Sequence, residues 1–134
     1  MSYWRLYYHV IWSTKDHRSL IDPAWEKSLY SYLGAKAQAL GCIPHAINGT
    51  ANHLHLVLSI PPRLAIARAI GQLKSASSHR LNGEHPESGF AWQTEYNIFT
   101  VSEAGLERIV GYVKAQKQHH AQGTVIPGFE LTRE

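Results

Sequence analysis

From His53 to Ile60 the chain reads His-Leu-His-Leu-Val-Leu-Ser-Ile. Successive side chains on a strand point to opposite faces, so Leu54, Leu56, Leu58 and Ile60 share one face and His53, His55 and Val57 the other. The leucine face demands a cover of helices, which makes this strand part of one layer of an α+β domain. The opposite face carries two imidazoles whose Cα atoms lie about 6.8 Å apart by strand geometry, close enough to converge on one ion. Two histidines bracketing a leucine also suit a partly exposed polar face, because so short a motif is weak alone.

The remaining pattern supplies the cover. Trp4 to Ser13 alternates, with Leu6, Tyr8, Val10 and Trp12 on one side and Arg5, Tyr7, His9 and Ile11 on the other, which predicts a first strand. Asp22 and Pro23 form a cap and first-turn pair before Trp25, Leu29, Leu33, Ala37 and Leu40, a helical stripe ended by Gly41. Cys42–Asn48 and His53–Ile60 read as a hairpin turned at Asn48-Gly49. A second helix is expected from about Arg63 to Leu81 with Ile66, Ile70, Leu73 and Ser77 on one stripe, then a loop from Asn82 to Gly89 and a fourth strand from Glu95 to Ser102. Ser102 can cap a last helix reaching about Ala121, with Leu106, Ile109, Val110 and Val113 buried.

The first six elements match the split βαβ, ferredoxin-like plan: an antiparallel sheet with helices on one face and the other left for a ligand or an added helix. A length of 134 residues at 44% apolar composition suits one domain, with its core over about 3–121 and a weakly specified tail at 122–134. The single cysteine, Cys42, and a start that reads as a strand point to a reducing cytoplasm, and no apolar run is long enough to span a bilayer. Thirteen basic against ten acidic residues give +3, a mild lean toward polyanions, while nine histidines supply potential metal ligands and proton carriers.

The last helix sharpens the chemistry. Tyr112 and Gln116 are four apart and therefore neighbours beside the apolar stripe, with His119 one turn further. If this helix lies over the histidine face, Tyr112 approaches a histidine-held cation and the amide oxygen of Gln116 completes a nitrogen and oxygen site suited to Mn²⁺ or Mg²⁺. The alternative is an amphipathic helix whose tyrosine packs and whose glutamine is solvated.

Four segments then become recognisable: Tyr8-His9-Val10-Ile11-Trp12-Ser13-Thr14-Lys15, Asn52-His53-Leu54-His55-Leu56, Phe90-Ala91-Trp92-Gln93, and Tyr112 to His120. In this order they resemble the HUH single-tyrosine transposases of the smallest bacterial insertion sequences and their repeat-associated relatives. The likeness covers nearly the whole chain. It implies that His53 and His55 are the paired metal-binding histidines, Gln116 the third ligand and Tyr112 the nucleophile, carried on a helix added to the ferredoxin-like sheet. It also implies a single-stranded DNA substrate with a nearby hairpin, a divalent Mg²⁺ or Mn²⁺ cofactor, and a homodimer. Asn52 stands where relatives usually carry aspartate, and Ala115 where many carry asparagine.

Phosphodiester exchange through a tyrosine conserves bond energy, so no nucleotide cofactor is expected, and no phosphate-gripping Gly-rich loop is present. Lys15, Arg18, Lys74, Arg80, Lys114 and Lys117 are candidate phosphate contacts, each with solvated surface charge as the alternative. Tyr3, Tyr7 and Trp92 could stack bases or pack in the core. Tyr96 is a rival nucleophile and His9 a rival ligand. Two other classes compete: a non-catalytic RNA- or DNA-binding module of RNA-recognition shape, and a zinc hydrolase using His53, His55 and His119.

Overall fold

The computed structural model describes residues 3–116. It contains β1 (Tyr7–Ser13), α1 (Glu26–Ala39), β2 (Ile43–Gly49), β3 (His53–Ser59), α2 (Ile66–Glu84), β4 (Asn97–Val101) and α3 (Glu103–Lys114), with short 3₁₀ turns at Lys15–His17 and Pro86–Ser88. The strands form one antiparallel sheet in the order β2-β3-β1-β4, the expected split βαβ arrangement.

Period-two alternation places the main core where the leucines predict. Val10 and Trp12 of β1 and Leu54, Leu56 and Leu58 of β3 pack under Leu29, Leu33 and Ala37 of α1 and Ala69, Ile70, Leu73 and Leu81 of α2. The other sheet face is not open. Val57 of β3 and Ala46 of β2 bury against Ile109, Tyr112 and Val113, so α3 lies over the histidine face. All seven residues of β3 are therefore buried, and the strand sits in the interior on both sides.

Element ends differ from expectation for tertiary reasons. Asp22 Oδ1 accepts from the Ala24 N–H at 2.8 Å and closes a turn, and α1 itself begins at Glu26. Pro61 and Pro62 delay α2 to Ile66, because Leu64 N–H turns back to the Pro61 carbonyl, and the helix continues through Asn82 to Glu84. Asn48-Gly49 ends β2 and is not the turn. Thr50 N–H bonds the His53 carbonyl at 3.0 Å, and a Cβ at Gly49 would collide with that same oxygen, so glycine is needed there for close approach. β4 is shorter than expected at its start, where the Glu95 carbonyl accepts from Lys74 Nζ at 3.0 Å. The part of the last helix expected beyond residue 116 and the tail lie outside the described residues. No helix of the described residues is long and apolar enough to cross a membrane.

Trp92 is a core residue. It meets Trp12 and Phe90 edge-on, its backbone bridges Thr14 at the end of β1, and its indole N–H donates to Ser77 Oγ at 2.9 Å. Ser77→Ala leaves that buried donor without its acceptor and should destabilise the fold by about 1–3 kcal/mol, read as a lower urea midpoint; an unchanged midpoint would show that the bond contributes nothing.

Candidate active site

β3 positions the two histidines by alternation at the centre of the sheet. His55 is fully buried and His53 nearly so; their rings meet edge-on, with centroids 5.2 Å apart. Each imidazole is held through Nδ1. His53 Nδ1 lies 2.9 Å from Asn52 Oδ1 and 2.9 Å from Thr50 Oγ. Because the Asn52 oxygen only accepts, Nδ1 carries the proton, which places the lone pair of a neutral ring on Nε2. His55 Nδ1 lies 2.8 Å from Nε2 of His9 on β1, the ring two positions diagonal to it in the β1–β3 pairing.

α3 brings the remaining groups. Ser102 caps it through a hydrogen bond from Gly105 N–H at 3.0 Å to its Oγ, and Glu103 in the first turn suits the positive end of the helix. Twelve residues form a marginal helix in isolation, so packing must hold it. Ile109 and Val113 bury onto the sheet, worth roughly 1.5–3 kcal/mol each, and Asn48 Nδ2 donates to the Lys114 carbonyl at 2.9 Å. Tyr112 is thereby turned inward: it is only 4% exposed, and its ring meets that of His55 at 70° with centroids 6.4 Å apart. Gln116, just beyond α3, is fully buried.

His53, His55 and Tyr112 thus converge within one chain, with Gln116 buried at the end of the tyrosine helix. Two imidazoles and one amide oxygen are donor types that would suit Mn²⁺ or Mg²⁺. Among the described residues no three His, Cys, Asp or Glu side chains are grouped to hold a metal. His9, the rival ligand, directs Nε2 to His55 Nδ1, and His119 lies outside the described residues. Tyr96, the rival nucleophile, packs against the core on the α1 and α2 side, across the sheet from the histidines.

The candidate phosphate contacts divide between the two faces. Lys15 and Arg18 are exposed in the segment after β1, where Thr14 N–H bonds the Asn52 carbonyl at 2.9 Å and Asp16 and His17 adopt positive φ. Lys114 is exposed at the end of α3. Arg80 lies on α2, paired with Glu84 at 3.4 Å and stacked over Tyr32. Lys74, also on α2, reaches back to the loop before β4, where burial pulls its ammonium down to about 8. Lys117 lies outside the described residues. Tyr3 is exposed and Tyr7 meets His45 edge-on.

Comparison with known proteins decides the family. The model for IS200-like transposases matches residues 2–116. The chain belongs to that family. The ISDra2 transposase TnpA of Deinococcus radiodurans is 29% identical over 119 residues, covering 84% of this chain and 85% of that protein. The transposase for insertion sequence element IS200 of Salmonella typhimurium is 24% identical over 137 residues, covering 90% and 82%. A crystal structure of a protein from D. radiodurans R1 assigned as a transposase aligns at TM-score 0.70 and 27% identity, covering 87% of this chain and 95% of that one. The REP-associated tyrosine transposase bound to a REP hairpin aligns at TM-score 0.66 and 14% identity, covering 93% and 76%, which shows a shared fold. As an IS200-like transposase, the protein is a DNA-binding enzyme of DNA transposition.

Two expectations follow from this geometry. Asn48→Ala removes the side chain that holds the last turn of α3 and should slow DNA cleavage several-fold while shifting the thermal midpoint little, since the bond is partly exposed; equal cleavage rates would dissociate Asn48 from the tyrosine. Lys74 has a folded pKa of about 8 against an ordinary 10.5. Between those values the unfolded chain binds more protons than the folded one, so the Lys74 contribution to stability rises with pH across that window. Lys74→Gln should flatten the pH 8–10 limb of the stability curve, measured by denaturant unfolding; an identical limb would rule out this linkage.

Proposed function

We propose that this IS200-like transposase cleaves and rejoins single-stranded DNA through a 5′-phosphotyrosine formed on Tyr112, with a divalent cation held by His53, His55 and Gln116. The observation that carries the reading is the meeting of Tyr112 and His55 in one buried pocket. A phenol with an ordinary pKa near 10 is a weak nucleophile at neutral pH, so its placement matters more than its intrinsic reactivity. His53, His55 and Gln116 are uncharged donors and would leave a bound Mn²⁺ or Mg²⁺ its full charge, which would supply polarisation of the scissile phosphate.

The protein's own residues then perform the exchange. α3 orients the Tyr112 hydroxyl for attack on phosphorus: an Oη–P bond forms, the P–O3′ bond breaks, the phenolic proton leaves to solvent, and the departing O3′ is protonated as a free hydroxyl. One phosphodiester replaces another, so a second 3′ hydroxyl can reverse the step onto a new strand without a nucleotide cofactor. Lys15, Arg18 and Lys114, exposed on the loop near Asn52 and at the end of α3, are the cations best placed to hold the backbone of the strand; Lys74, Arg80 and Lys117 complete the proposed contacts. The structural likeness to a transposase bound to a REP hairpin supports a DNA hairpin as the recognised feature. A homodimer joined through the hairpin and α3 completes the reading. The competing RNA-recognition module requires an open sheet face presenting aromatics, whereas here α3 covers that face.

The test is incubation with single-stranded hairpin DNA and Mn²⁺, followed by denaturing electrophoresis. A protein-DNA adduct should form, Tyr112→Phe should abolish it, and His53→Ala should stop cleavage while leaving hairpin binding intact. An undiminished adduct in Tyr112→Phe would move the nucleophile elsewhere. Sedimentation that gives a monomer mass at every concentration would refute the dimer.

A further inference from the structure

Histidine 9 is 2% exposed, lies under α3 and is committed to another imidazole. Its ring is within 22° of parallel to that of His55, with centroids 5.1 Å apart and the Nε2–Nδ1 separation of 2.8 Å that a hydrogen bond requires. Phe99 of β4 supports its ring at 6.4 Å, and His9 also lines a cleft of about 280 Å³ between β4 and α3. Two buried polar rings are costly unless they satisfy each other, and a phenylalanine here would pack against Phe99 and Ile109 without that cost.

The two histidines of the proposed cation site are held differently. The Asn52 oxygen can only accept, so it determines which His53 nitrogen carries the proton. The partner of His55 is an imidazole, which can donate or accept. A neutral ring that binds a cation through Nε2 must carry its proton on Nδ1, so the His9–His55 bond has one compatible direction: Nδ1–H of His55 donates and Nε2 of His9 accepts.

We propose, resting on the cation site above, that His9 is the positioning residue for His55, accepting its Nδ1 proton and so keeping the His55 lone pair on Nε2 for the cation. His9 does not touch the cation in this arrangement. It acts through the ring orientation and tautomer of its neighbour, as Asn52 and Thr50 do for His53.

Two measurements test this without relying on activity. Long-range proton–nitrogen NMR of histidine-labelled protein reads the tautomer directly: His55 should be the Nδ1–H form in the wild type, with Nε2–H appearing in His9→Phe, for which the adjoining cleft leaves room. Mn²⁺ titration without DNA, followed by electron paramagnetic resonance, should show affinity lowered about 10–100-fold in His9→Phe and largely restored in His9→Gln, whose amide oxygen can accept. An Nε2–H His55 in the wild type overturns the proposal and needs no variant to fold. Unchanged Mn²⁺ affinity in folded His9→Phe, when His53→Ala abolishes binding, overturns the role of His9 alone. Mn²⁺ binding indifferent to His53→Ala overturns the cation site and this inference with it.

Discussion

The docking of α3 on the second sheet face is the contact on which the site depends. A helix of this length does not persist alone, and its hold is the burial of Ile109 and Val113 against Val57 and Ala46, supplemented by the Asn48 bond to its last carbonyl. The same burial that forms the helix turns Tyr112 toward His55. The docking of α3 thus serves folding and site geometry together: undocking it exposes apolar surface and withdraws the phenol, whereas loss of the Asn48 bond frees only its last turn.

β3 carries a complementary constraint. As an inner strand paired on both edges, it cannot slip by one residue without sending the leucines to the α3 side and the histidines into the main core. Its register fixes His53 and His55 more firmly than a loop could. The supporting shell then sets their chemistry, with a hairpin amide and hydroxyl on one ring and an imidazole from β1 on the other.

Much of this was legible from periodicity. Alternation in β1 and β3 assigned the faces, and the stripes of α1, α2 and α3 assigned the cover, because both follow from backbone geometry and hydrophobic burial. The placement of Tyr112 was legible only as a neighbour of that stripe; the structure puts its ring within the buried cluster. Features made by distant partners left weaker marks. At the start of β4 Lys74 captures the Glu95 carbonyl from twenty-one residues away, and the role of Asn48 was hidden because Asn-Gly reads as a turn. His9 shares the histidine face of the sheet by alternation, a signal that suggested proximity to the pair but not which nitrogen meets which.

Charge shows the same limit. The net +3 describes the whole chain, yet several of its cations are already committed: Arg5 pairs with Glu103, Arg80 with Glu84, and Lys74 bonds backbone carbonyls in a half-buried position that disfavours its charge. Charges neutralised within the fold contribute little to counterion release from a nucleic acid. Lys15 and Arg18 are exposed on a segment whose backbone bonds to Asn52, the residue that orients His53, and Lys114 is exposed on the residue whose carbonyl Asn48 holds. On the proposed reading, the attraction for a DNA backbone follows from where these cations are anchored, next to the groups that perform the exchange, and the overall charge balance is a poor measure of it.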